Sequence, residues 1–344
     1  MRLIWNVLGP FLGLALVTLI FAYLTRAEGT FLTPVTWRTI LVQSVIVGIA
    51  ALGMTLIMIA GGIDLSVGSS VALVAVCIAS LTAGFECQIQ LPGMTQSWNF
   101  GQIRLPVAIA MGCGIAVGGL CGLFNGMLIT RLGVVPFIIT LGSLKIFRGL
   151  AKWFSGSNQV YGFGAEDTPP PWIDQILATE PEPAWLLVSP GVWLWLALSL
   201  LLALVLRRSL LGRYAYAVGS NEATARLCGI NVPGVKLMVY SIAGLLTGLA
   251  GVMQFLYFHA EGDPTACDGL ELSVIAAVVV GGGSLSGGEG TVLGTLIGCL
   301  IMSVLENGCV HAGIPPAAKD ILIGAIIIAA VTVDQLRRRS RRKS

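Results

Sequence analysis

Gly61-Gly62-Ile63-Asp64-Leu65-Ser66-Val67-Gly68-Ser69-Ser70 interrupts an otherwise apolar stretch of the chain. The run from Ile40 to Ala60 precedes it, the run from Val71 to Ala83 comes after it, and both are hydrophobic enough to sit in lipid. Between them stand glycines, serines and one carboxylate. An ionisable residue at or near a membrane is costly unless it faces protein, water or an interface, so Asp64 is a candidate functional residue by position alone.

The surrounding composition supports a membrane reading. Of 344 residues, 56% are hydrophobic and 11% charged, whereas a soluble domain carries about 25% charged residues. Mean hydropathy is +0.88. The expected fold is all-α: a polytopic transmembrane helix bundle forming one membrane domain, 1-344. The 44 glycines suit it, because small residues let helices approach where lipid supplies no hydrophobic drive for association. The eight cysteines form no CxxC or Cys/His cluster, and most read as small buried hydrophobes. Cys87, Cys267 and Cys309 fall near the predicted outer face, where a disulfide among them is left open.

Working outward, a first span covers roughly Trp5 to Leu24 and reads as a retained helix, with no small-residue cleavage site. A second span ends at Ala60 and a third runs from Val67 to Ala83. After a polar loop, Glu86 to Arg104, comes a fourth span, Leu105 to Ile129, with Gly114, Gly118, Gly122 and Gly126 in one stripe that predicts tight packing on a neighbour. A fifth, Gly133 to Leu150, begins with Pro136 in its first turn, and Lys145 and Arg148 near its far end read as snorkelling to headgroups. The segment 152-190, with Pro169-Pro170-Pro171 and several tryptophans, reads as an outer polar cap. Further spans are expected at Val192 to Leu206, Leu237 to Phe258, Leu270 to Val280, a stretch reaching Glu306, and Ile321 to Val333. Counting the short Leu270 run, about ten crossings result.

Basic residues orient them. With the N-terminus inside, Arg2, Arg131, the segment 207-236 with Arg207, Arg208, Arg213, Arg226 and Lys236, and the basic tail 334-344 all fall in the cytoplasm. Both termini are then cytoplasmic. Gly61-Gly62-x-x-Leu65-Ser66-x-Gly68 recurs as Gly281-Gly282-x-x-Leu285-Ser286-x-Gly288, and Asn125-Gly126 is echoed by Asn307-Gly308. Either the chain contains two related halves with interrupted helices in matching places, as transporters often do, or glycine- and serine-rich segments resemble one another by chance. Both glycine segments lie inside in this topology, which does not suit an inverted repeat unless one run is re-entrant.

Absent chemistry narrows the function. None of the five lysines follows a glycine, so no Gly-Lys-Ser/Thr phosphate loop exists. The only histidines, His259 and His311, stand alone, which makes a metal site improbable. No nucleophile has a plausible base. No pattern argues for catalysis, so an enzyme is not expected, and neither is a catalytic residue or a metal.

Met54-Thr55-Leu56 leading into Gly61 to Gly68 resembles the signature of the ribose-type sugar permeases of ATP-binding cassette (ABC) importers, within the branched-chain amino acid and ribose permease superfamily. Pro136 to Gly142 with Arg148-Gly149, Gly212 to Asn221, and Leu272 to Gly294 continue the resemblance in order along nearly the whole chain. It implies a permease of the bacterial cytoplasmic (inner) membrane, working in lipid with a second permease copy or a paralogue. Cytoplasmic ABC ATPase subunits would hold the ATP and Mg, so no cofactor belongs to this chain. A periplasmic or lipid-anchored substrate-binding protein would deliver a pentose or hexose, and no nucleic acid is involved. The resemblance assigns ATPase coupling to Gly219, Asn221, Glu222, Ala223, Ala225, Arg226 and Gly229. Ser220 or Asn221 suits a helix cap there, with Glu222 in the first turn.

The candidate gate and translocation path comprises Gly61, Gly62, Asp64, Ser66, Gly68, Asn125, Gly281, Gly282, Ser286 and Asn307. Departures from the family pattern lie in the long outer loops and around Asp263 to Gly269. Two alternatives stand: an ion-coupled secondary transporter, for which Asp64 and Glu306 are the available carboxylates, and an ABC permease for amino acids or nucleosides. For Asp64 the preferred reading is structural, a cap on the helix beginning near Ser66.

Overall fold

The computed structural model describes residues 2–26, 29–89, 98–163 and 169–342. Residues 90–97 and 164–168, which belong to the two predicted outer loops, the side chain of Cys87, and Lys343 and Ser344 of the basic tail lie outside the described residues. The chain is a helix bundle with two small two-stranded antiparallel sheets among the described residues. Its helices are α1 (Arg2–Leu24), α2 (Pro34–Ile59), α3 (Val67–Ala83), α4 (Val107–Leu132), α5 (Pro136–Phe154), α6 (Trp172–Ile176), α7 (Pro190–Arg208), α8 (Leu210–Ser220), α9 (Glu222–Leu227), α10 (Val232–Tyr257), α11 (Leu270–Val280), α12 (Val292–His311) and α13 (Pro316–Arg342). Strands β1 (Phe85–Ile89) and β2 (Trp98–Ile103) pair with each other, as do β3 (Val160–Tyr161) and β4 (Glu261–Gly262). The predicted polar loop after α3 is therefore partly a β-hairpin.

Among the described residues, α2, α4, α7, α10 and α12 are long and apolar enough to cross a membrane, and Gly9–Leu24, α3 and α11 are shorter apolar helices. α2 lies at the centre, buried from Ile40 to Ile59 at nearly every position. It packs against α10, α11, α12 and α7. The predicted glycine stripe of α4 meets a glycine stripe of α10. A Cβ at Gly118 would run into the backbone of Gly248, and one at Gly122 would meet the Tyr240 carbonyl and Gly244. These two helices touch backbone to backbone, as small residues allow.

α3, with 17 residues, and α11, with 11, are shorter helices inside the bundle. α10 ends at Tyr257, and the chain then returns along α3, where Gly262 packs on Ala75, Val76 and Ala79. It reaches the first turn of α3 at Cys267, whose carbonyl faces Gly68. α11 starts there and runs toward the end of the bundle that holds α9. Segment 258–269 is thus re-entrant, which explains why the apolar run at Leu270 is too short to cross alone. Cys267 lies beside the start of α3 and not on an outer face. Cys267 and Cys309 are both free.

Candidate translocation and coupling site

The two helix breaks fold for a clear local reason. α2 stops at Ala60, and Gly61 takes φ +81°, a left-handed conformation that costs a glycine little. Gly61 N–H bonds the Met58 carbonyl at 2.9 Å and Gly62 N–H the Ile57 carbonyl at 3.0 Å. This pair of bonds is a Schellman stop. α11 stops the same way one position later than the sequence match implies. Gly281 is its cap, Gly282 takes φ +91°, Gly282 N–H bonds Val279 O at 2.9 Å, and Gly283 N–H bonds Val278 O at 2.8 Å.

In the first break Asp64 turns inward and is 7% exposed. Its Oδ1 accepts from the Ser66 backbone N–H at 2.8 Å and from the Ser66 hydroxyl at 2.6 Å. Asn125 of α4 donates to Ser66 Oγ at 2.9 Å and to Asp64 Oδ2 at 3.4 Å. The Ile63 carbonyl receives the hydroxyls of Thr140 at 3.3 Å and Tyr240 at 3.5 Å. The carboxylate is thereby bonded to the residue that starts α3, and α4, α5 and α10 converge on the same short loop.

Gly281, Gly282 and Ser286 form the second break, where Ser284 N–H bonds Glu289 O at 3.0 Å and Gly288 N–H reaches back to Ile59 O at 2.9 Å. Ser286 and Gly282 are exposed. Asn307 is elsewhere. Near the far end of α12, it donates to Gln43 at 2.6 Å and to Ser303 O at 3.0 Å, so it does not join Asp64 and Asn125.

Gly219, the penultimate residue of α8, links the breaks to α9. A Cβ there would strike the Ile59 carbonyl, and Gly287 approaches both Gly219 and Gly61. At Gly219 and Gly287 only a glycine leaves room for the three backbones to meet. Two residues on, Asn221 caps α9 by accepting from Thr224 N–H at 3.0 Å. Glu222 bonds Lys236 of α10 at 2.7 Å and Arg226 at 2.6 Å. The Lys236 hydrogen bond, joined by that of Arg226 and opposed by partial burial, holds the Glu222 carboxyl below its usual range. Ala225 is buried against the chain's own core, Gly229 turns the chain at φ +79°, and Ala223 and Arg226 are exposed. Leu227 is 88% exposed, an apolar knob on a polar surface that the sequence pattern does not single out.

Two further residues escape the sequence reading. Arg148 does not snorkel: its Nη1 donates to the carbonyls of Pro264 at 2.9 Å and Ala266 at 2.6 Å and so pins the re-entrant segment to α5. Glu271, in the first turn of α11, is 9% exposed, faces Gly68, and leaves Oε2 without a hydrogen bond. A cation inside an apolar helix and an acid at a helix start are visible in the sequence, but their partners are not.

With this geometry in hand, similarity becomes informative. The family described as branched-chain amino acid transport system / permease component matches residues 37–331. The chain belongs to this permease family. The permease is 37% identical over 329 residues to the ribose import permease protein RbsC of Bacillus subtilis (strain 168), covering 95% of this chain and 92% of that relative. It is 34% identical to the fructose import permease protein FrcC of Rhizobium meliloti, over 94% of this chain and 84% of the relative. Its identity to the D-allose transport system permease protein AlsC of Escherichia coli (strain K12) is also 34%, over 97% and 93%. No solved structure matches the permease. The family named from the sequence motifs is the one the whole chain matches.

Proposed function

We propose that this chain is the membrane subunit of an ABC importer that passes a sugar, a pentose or hexose, across the bacterial cytoplasmic membrane. The observation that carries the reading is the chain-long similarity to import permeases for ribose, fructose and allose. In this reading α9 docks on a cytoplasmic ABC ATPase that holds ATP and Mg, with Leu227, Ala223 and Arg226 presented to it. A substrate-binding protein delivers sugar at the opposite end, and a second permease copy or paralogue completes the path. The helix order supports ten crossings, with the re-entrant segment and α11 together making one and both termini on the α9 side. Two related halves are supported by the paired Schellman stops alone, since Asn125 and Asn307 stand in different settings.

An ion-coupled transporter is the second reading, and Glu271, a buried carboxylate with one unbonded oxygen, is the feature that favours it. Reconstituted vesicles separate the two. The importer reading expects sugar uptake only with ATP on the α9 side and a binding protein on the other. Uptake driven by a proton or sodium gradient alone would replace it.

A further inference from the structure

α5 carries an exposed stripe that neither the fold nor the coupling segment uses. Its inward face is Thr140, Ser143, Phe147 and Ala151. The opposite face presents Ile138, Gly142, Lys145, Gly149 and Lys152, all exposed. Steps of four and three residues place these five within roughly a quarter-turn of the helix. Gly142 and Gly149 have open space around them, with no atom within 4 Å of where a Cβ would stand.

Lys145 is the central residue of α5 (Pro136–Phe154), about 13 Å along the axis from either end. α5 runs through the bundle: Thr140 bonds the first break, Arg148 the re-entrant segment, and the chain beyond α5 enters β3 at the other end. A lysine can snorkel only over the length of its own stem. From the middle of a traversing helix it reaches neither headgroup layer, and a charge left in hydrocarbon is strongly disfavoured. Arg148 is engaged by Asp268 at 3.8 Å as well as by the two carbonyls. Lys145 and Lys152 have no ion pair among the described residues, so of the three cations of α5 they are the two left without a counter-charge.

We infer that the Gly142–Lys145–Gly149–Lys152 stripe faces water in the substrate path and makes that path selective for oxygen-rich, negatively charged cargo such as a sugar acid. The inference rests on the importer reading and replaces its neutral pentose or hexose with an acidic sugar derivative. The glycines leave width for a ring-sized molecule, and the ammonium groups donate to hydroxyl and carboxylate oxygens. Rings of lysine favour anions in pores for the same electrostatic reason.

The test reads water access and charge without knowing the cargo. Gly149→Cys is made in the assembled complex in membranes, with Gly142→Cys as a second open position should the first fail to assemble. Each is treated with the negatively charged 2-sulfonatoethyl and the positively charged 2-(trimethylammonio)ethyl methanethiosulfonate, subtracting reaction of the parent's native cysteines. Both reagents are expected to react, and adding Lys145→Gln with Lys152→Gln is expected to lower the anionic-to-cationic rate ratio by about threefold or more. No reaction of either reagent in a complex that still takes up sugar with ATP would place the stripe against lipid or protein and overturn the inference alone. A ratio unchanged by removing the lysines would overturn anion selection. Uptake that needs no ATP would instead defeat the importer reading.

Discussion

The break after α2 and the break after α11 stop their helices alike, with left-handed Gly61 and Gly282 and the same pair of backbone bonds, yet the chain leaves them in different ways. After Gly62 it turns inward and buries a carboxylate that bonds Ser66 and Asn125. After Gly283 it stays near the surface and closes with backbone and serine bonds, with Leu285 where the first break has Asp64 once the two stops are superposed. The lesson is a division of labour: the glycines set where a helix ends, and the next three residues decide whether the break becomes a fixed polar centre or a loop laid over its neighbour.

Breaking the polar centre should give the largest effect. Asp64→Ala leaves the Ser66 N–H and the Ser66 hydroxyl without their acceptor and takes from the Asn125 amide the longer of its two bonds, and a loss of about 2–4 kcal/mol is expected. Asp64→Asn keeps an oxygen for Ser66 and should lose less, and Leu285→Ala in the second break should lose less still. Thermal unfolding of the purified complex in detergent reads all three, and equal losses would show that the two breaks do not differ. Next comes the shared feature. Gly61→Ala and Gly282→Ala each force a Cβ into left-handed backbone, at about 1–2 kcal/mol. Neither added methyl meets a close atom, so similar shifts in midpoint are expected, and a several-fold disparity would argue against a common stop.

The smallest effect belongs to α9. Glu222→Gln removes a partly exposed pair with Lys236 and should change stability by only about 0.2–1 kcal/mol. Because the folded carboxyl is held below the ordinary glutamate value of 4.5, this contribution is present above about pH 4.5 and disappears as pH falls through the folded value. Midpoints of the parent and the Gln variant should therefore converge in acid. A difference that grows on acidification would contradict the pair.

Much of this organisation is legible in the residues. The bounds of α3 and α11, the packing stripe of α4, the place of Asp64 just ahead of α3 and the short helix at 222–227 all come from local patterns: apolar run length, four-residue glycine spacing, and a polar side chain just before a helix. The hidden part depends on partners distant in sequence. Arg148 reads as a snorkelling cation from its distance to a helix end, but its ligands are carbonyls more than a hundred residues away. The resemblance puts Ala225 in the coupling segment, and a six-residue helix has too little periodicity to show that its side chain is buried. The second glycine motif aligns one residue out, since three consecutive glycines offer two equivalent starts and only the backbone bonds choose between them.

Gly219 meets Ile59, Gly61 and Gly287 in one junction, and under the proposed function it is expected to pass movement of α9 to both breaks. The direct measurement is the ratio of sugar imported to ATP hydrolysed by the reconstituted complex bearing Gly219→Ala. The assembled variant is expected to hydrolyse ATP while its transport ratio falls by about tenfold, equivalent to about 1.4 kcal/mol. A ratio equal to that of the unaltered complex would contradict a coupling role for this junction.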